Sequence, residues 1–173
     1  QIGSISTRYQ LSFTEPYFLH RPITAGFSIY QRDTDYVGFT TSGSGASATL
    51  GRRFLNFHNT SVTLAHENTI FNPSTGARTT TNTNSIRPFY SYDTRNNFFR
   101  PSRGFQFFLA GEYAGGALGG QNSYVKTQAE FQYFIRMFKR TFLAMHGEWG
   151  YVWPLQGDLV PTYERFFLGG ERS

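Results

Sequence analysis

The chain has no cysteine, which removes disulfides, thiolate metal ligands and a thiol nucleophile together. It also has no apolar run approaching the ~18 residues of a transmembrane helix; helical membrane proteins are thereby excluded, and membrane barrels are not. Leucine, isoleucine and valine are sparse and mean hydropathy is −0.41, so a conventional soluble core has little to be built from. Carboxylates number 11 against 16 Lys and Arg, a formal net charge of +5. That balance raises nucleic-acid binding as a class, and the placement of the charges decides it.

What the chain does have is rings. It carries 19 Phe, 11 Tyr and 2 Trp in 173 residues, enough for one domain. A composition at once aromatic and polar suits a barrel wall, half of whose side chains face lipid and half an aqueous lumen. The pattern agrees. From Tyr124 to Ile135, Val125, Thr127, Ala129, Phe131, Tyr133 and Ile135 fall on one face, and Lys126, Gln128, Glu130 and Gln132 on the other. Strands of soluble domains usually run ~5–6 residues, whereas a tilted bilayer-crossing strand needs about 9–11.

Eight segments read as strands: 4–13, 23–31, 42–51, 60–69, 82–92, 105–113, 124–136 and 141–153. Tyr9, Leu11 and Phe13 alternate with Arg8, Gln10 and Ser12, and Leu143, Met145, Trp149 and Tyr151 with His146 and Glu148. The fifth segment is weaker, because Pro88 cannot donate to a ladder and Phe89 falls on the polar face; a bulge or local distortion is expected there. The fold class is therefore all-β, an antiparallel up-and-down transmembrane barrel wall. The chain starts at Gln1 and stops after a Gly-Gly pair, so it reads as part of a larger wall rather than a closed eight-strand barrel.

Every second connection collects basic residues: Arg21, then Arg52 and Arg53, then Arg95, Arg100 and Arg103, then Lys139 and Arg140. In up-and-down topology these share one rim, a basic ring and not a nucleic-acid groove. Tyr17, Phe18, Phe54, Phe57, Phe98, Phe99, Phe138 and Phe142 flank it, as expected of an aromatic girdle at a membrane interface. The intervening connections, 32–41, 70–81 and 114–123, are expected to be long polar extracellular loops, and the basic rim to carry the tight periplasmic turns.

Reaction chemistry is absent from the pattern. His20, His58, His66 and His146 are not spaced as metal ligands, and the carboxylates form no acid–base pair. Glu112, Glu130 and Glu148, with Lys126 and Arg8, read as lumen hydration and ion pairing. The Gly-rich stretches 43–51 and 115–120 lack the Lys-Ser/Thr and helix of a phosphate loop. Asn59-Thr60-Ser61 matches a glycosylation sequon by pattern only. No enzyme, cofactor or metal is expected.

Three ordered motifs carry a family resemblance. Thr14-Glu15-Pro16-Tyr17-Phe18 closes a strand and leads through a tight turn to an alternating strand with mid-strand Gly26. Tyr92 to Gly104 holds Asp-Thr-Arg-Asn-Asn-Phe-Phe-Arg-Pro-Ser-Arg. Tyr163-Glu164-Arg165-Phe166-Phe167-Leu168-Gly169-Gly170 stands near the C-terminal end. Together they resemble the BamA family of outer-membrane β-barrel assembly factors, in the bacterial surface antigen superfamily: a strand–turn element, a periplasmic turn and the lead-in to the sixth extracellular loop.

The resemblance implies roughly the fourth to eleventh strands of a sixteen-stranded barrel, ending before the sixth-loop motif and without periplasmic repeats. It implies that Phe166, Phe167, Gly169 and Gly170 begin a loop that folds back into the barrel. It further implies an outer-membrane location in a Gram-negative bacterium. The implied function is folding and insertion of other barrels, this segment being the static wall opposite a lateral gate. Outer-membrane lipid, unfolded client proteins and accessory lipoproteins are the implied partners. A porin-like channel, TamA, a two-partner secretion transporter and a soluble β-barrel binding module are the alternatives.

Overall fold

The computed structural model describes residues 5–36, 38–138, 141–155, 160–161 and 164–166. Eight strands follow in chain order: β1 Ile5–Glu15, β2 Thr24–Tyr36, β3 Phe39–Phe54, β4 His58–Pro73, β5 Thr79–Asp93, β6 Gly104–Ala114, β7 Tyr124–Arg136 and β8 Phe142–Pro154. Each pairs antiparallel with its sequence neighbours in one open sheet, β1 and β8 forming its edges. All eight expected segments are strands.

Directly opposed residues share a face, so the registers carry one outward row across the whole wall. Leu11 opposes Ile29, Ile29 opposes Ala46 and Leu50 opposes Val62. Further along, Tyr92 opposes Phe107, Phe107 opposes Phe131 and Tyr133 opposes Met145. Because the sheet is a single layer, these large apolar side chains are exposed: Leu11, Phe13, Phe27, Leu64, Trp149 and Tyr151 all lie open on this face. The opposite face carries Arg8, Gln10, Ser28, Glu67, Arg87, Glu112 and Lys126. An apolar outside and a polar inside is the inversion a lipid-facing barrel requires.

The strands are longer than expected at the end away from the basic rim. Residues 32–41, read as a long loop, are mostly strand: Tyr36 opposes Phe39 and their rings stack 4.5 Å apart. Likewise β4 runs to Pro73 and β5 begins at Thr79. The outward side chains of these extensions are Asp33, Asp35, Thr40, Ile70, Asn72 and Thr80, polar but for Ile70, so the ladder continues where apolar alternation has stopped. Loop length consequently does not sort the two ends. The basic rim carries connections 16–23, 55–57, 94–103 and 137–141, and the other end 37–38, 74–78 and 115–123. The tight-turn and long-loop assignment is corrected accordingly.

At Pro88 the β4 ladder continues, with Val62 opposite Pro88. Toward β6 the pairing lapses between Ile86–Tyr113 and Phe89–Ala110, although the register is the same on both sides. The expected distortion is thus a gap in the ladder, not a bulge, set by the missing proline donor.

Candidate functional site

Two regions concentrate chemistry: the inner face of β6–β8 and the basic rim. On the inner face, the residues after β8 turn back over the sheet. Val160 is buried with Ala114 and Tyr124 against Val152. Glu164 accepts from Lys126 Nζ at 3.4 Å, and that ammonium lies 5.1 Å from the Phe166 ring centroid. Phe166 occupies space above Gly150, where an added Cβ would come within 2.7 Å of its ring. Tyr124, Lys126, Gly150 and Val152 all belong to the inner face, so the described part of this segment lies against the lumen side of the wall. Burial, with Glu112 and Glu67 nearby, pushes the Glu164 carboxyl above the ordinary carboxylate range despite the opposing Lys126 charge. Phe167, Gly169 and Gly170 lie outside the described residues, as does Tyr163.

Several further lumen charges are paired among the described residues. Arg87 bonds Glu112 at 2.8 Å across the gap beside Pro88. Tyr30 donates to Glu67 at 2.6 Å, and Arg32 reaches the same carboxylate at 3.3 Å. His146 Nε2 sits 3.2 Å from Glu130. On the outward face, by contrast, His58 and His66 contact Tyr90 and Asn84 at 2.8 and 2.6 Å. The sequence placed Glu112, Glu130 and Lys126 in the lumen, but it missed Glu67 and Arg87, whose partners are fixed only by cross-strand register.

The rim residues gather at one end of the sheet. Arg21, Arg95, Arg100 and Arg103 are in its turns, and Arg52 and Arg53 close β3; Lys139 and Arg140 lie outside the described residues. The Arg52–Arg53 pair divides between faces. Arg53 turns inward, opposite Asn59, and donates from Nε and Nη2 to the Asn56 carbonyl at 3.1 and 2.7 Å. Arg52 points outward, opposite Thr60, one step beyond Leu50.

The family strand–turn motif is a built corner. Thr14 and Glu15 end β1, and the Glu15 carboxylate accepts the Tyr17 N–H at 3.0 Å. Pro16 leads into the turn, and the Phe18 N–H donates to Ile23 O at 2.9 Å. The 94–103 turn is pinned as closely. Asn96 Oδ1 accepts from the Ser102 and Arg103 N–H groups, and Asn97 Oδ1 from those of Phe99 and Arg100. Arg95 forks onto Asp93 at 2.7 Å. Gly104 closes the turn at φ +111°, where a Cβ would lie 2.5 Å from Thr94 O.

A row of rings runs along the outward face just inside the turns. Phe54 stacks on His58 at 5.1 Å, His58 meets Tyr92 at 4.8 Å, Tyr92 meets Phe105 at 6.4 Å, and Phe105 meets Tyr133 at 6.3 Å. The row runs from β3 to β7, but of the eight girdle residues expected only Phe54 belongs to it, with Phe57 meeting Tyr92 edge-on at 6.4 Å. It includes Tyr92, Phe105 and Tyr133, which the sequence reading assigned to strands alone.

An open wall with lipid outside, a charged lumen and a segment folded inward defines an outer-membrane barrel domain. The model of the Omp85 superfamily domain matches residues 1–173, and the chain belongs to that family, in the outer membrane of a Gram-negative bacterium. Among curated relatives, it is 33% identical over 82 residues to the outer membrane protein assembly factor BamA of Nitratidesulfovibrio vulgaris, covering 47% of this chain and 10% of that protein. The fold matches the crystal structure of BamA from Haemophilus ducreyi lacking POTRA domains 1–3, with a TM-score of 0.88 at 22% identity. That match covers 97% of this chain and 37% of the other. The chain therefore spans only a minor part of each relative.

Proposed function

We propose that the protein containing this chain folds and inserts β-barrel proteins into the outer membrane, and that this segment is the fixed wall opposite a lateral gate. The observation that carries the reading is the identity to an outer membrane protein assembly factor, within a chain matched throughout by the Omp85 domain. The geometry is compatible with a static role. Strands of 11 to 16 residues are laddered to both neighbours from β2 to β7, whereas a gate needs a weakly paired seam. Unfolded barrel clients, accessory lipoproteins and outer-membrane lipid are the proposed partners. Edge pairing by main-chain hydrogen bonds is the proposed mode of client capture, at strands outside this segment.

The test locks the wall. Ser28 and Ser47 face each other in the lumen with hydroxyls 2.8 Å apart, so Ser28→Cys with Ser47→Cys places a disulfide between β2 and β3. In the full-length protein the oxidised variant should assemble client barrels at the wild-type rate. Loss of assembly on oxidation, restored by reductant, would show that this wall moves and would remove its assignment as the static side.

A further inference from the structure

We propose that the basic rim of β1–β4 binds the phosphate of an anionic phospholipid headgroup, with Arg52 and Arg21 as its cationic ligands. The ring row from Phe54 to Tyr133 marks the level where hydrocarbon gives way to water. The 55–57 and 94–103 turns lie within one or two residues of Phe54, His58, Tyr92 and Phe105, which places this end of the wall among the headgroups. Arg52 lies on the lipid face itself, between Leu50 and Phe54, where a protein domain beneath the barrel would not cover it.

Among the described residues, the guanidinium groups of Arg21 and Arg52 have no hydrogen-bond or ion-pair partner. The carboxylates at this rim are engaged elsewhere, Glu15 by the Tyr17 N–H and Asp93 by Arg95. The rim thus presents uncompensated positive charge to a layer of phosphates.

The backbone supplies an independent observation. Leu19 and Leu55 hold positive φ of 55° and 49°, a conformation costing a leucine about 1–2 kcal/mol and better suited to glycine or asparagine. Both are nonetheless largely exposed, 72% and 75%. Strained, exposed leucines next to Arg21 and Arg52 fit a surface whose apolar tips sit in lipid while its arginines reach phosphate.

The test uses the full-length protein in detergent micelles doped equally with phosphatidylglycerol and phosphatidylcholine, counting retained lipid by native mass spectrometry. The wild type should retain phosphatidylglycerol preferentially, by about fivefold for each arginine engaged. Arg21→Ala with Arg52→Ala should fall to parity, and Arg78→Ala, at the opposite end of the wall, should leave the preference intact. Parity in the wild type, or an undiminished preference in the double variant, overturns the proposal. Equal loss in Arg78→Ala overturns it too, by reducing the effect to net charge. Heat-modifiable electrophoretic mobility reports folding, and single Arg52→Gln carries the same comparison if the double variant fails to fold. The readout involves no client assembly, so it stands or falls apart from the proposed function.

Discussion

Gly45 and Gly26 both face the lumen in adjacent strands, yet a side chain would meet different neighbours at each. A Cβ on Gly45 would lie 2.6 Å from His66 O and 2.8 Å from the Tyr30 hydroxyl, the group that bonds Glu67. At Gly26 the nearest atom would be 3.6 Å away, an ordinary contact. Gly45→Val should therefore displace Tyr30 from Glu67 and destabilise the barrel by about 1–3 kcal/mol, while Gly26→Ala should stay within about 0.5 kcal/mol. Guanidinium unfolding in micelles reads both, and equal midpoints for the two variants would refute the distinction. Gly147 repeats the device on the lipid face, where a side chain would collide with the Phe131 ring opposite it. None of this was legible in the sequence. Gly45 lies 15 positions from Tyr30 and 22 from Glu67, and only the register of β2, β3 and β4 brings the three together.

Among whole strands, β5 poses the clearest problem. β6 ends at Ala114 opposite Ser85, so residues 79–84 would expose an unpaired ladder edge. The Gly-rich 115–121 connection covers it. Gly115 N–H donates to Asn84 O and Gln121 N–H to Asn82 O, both main-chain bonds of a strand-like pair, and Asn122 Nδ2 donates to the Thr83 hydroxyl at 2.7 Å. Asn122→Ala should loosen that cover and raise amide exchange across 79–84 by about fivefold, the worth of one net hydrogen bond. Exchange unchanged there, or raised uniformly through β5, would mean that the edge is protected by something else. The sequence disclosed the strands where one face was greasy, as in 124–135, and truncated them where both faces were polar, as in 32–36. Hydrophobic alternation records immersion in hydrocarbon, and hydrogen-bonded pairing continues past it. The gap beside Pro88 was legible because proline's missing donor acts locally in any strand.

On the scale of the molecule, the wall is held chiefly by pairing between neighbours in sequence, and the inward segment after β8 adds a contact from outside the sheet. Its anchors are Val160 against Ala114 and Tyr124, Glu164 on Lys126, and Phe166 over Gly150. The strands that receive it were not legible in the sequence, since Lys126 and Gly150 carry no local mark of a docking surface.

Glu164 makes this contact pH-dependent, and the sign is fixed by its raised value. A carboxyl whose docked value exceeds its free value, about 4.3, binds its proton more tightly when docked. Docking is then strongest below about pH 4.3 and weakens as pH rises through the raised docked value, above which it is constant. The Lys126 ammonium beside it offsets part of the loss, while Glu112 and Glu67 deepen it. Hydrogen exchange across 160–166 in the full-length protein should accordingly speed up, after correction for intrinsic rates, between the free and docked values. Glu164→Gln should abolish that slope while keeping the segment docked, and Gly150→Val should expose the segment at every pH by evicting Phe166. A slope of opposite sign in the wild type would show that the Lys126 ion pair outweighs burial, leaving Glu164 as an ordinary charged anchor.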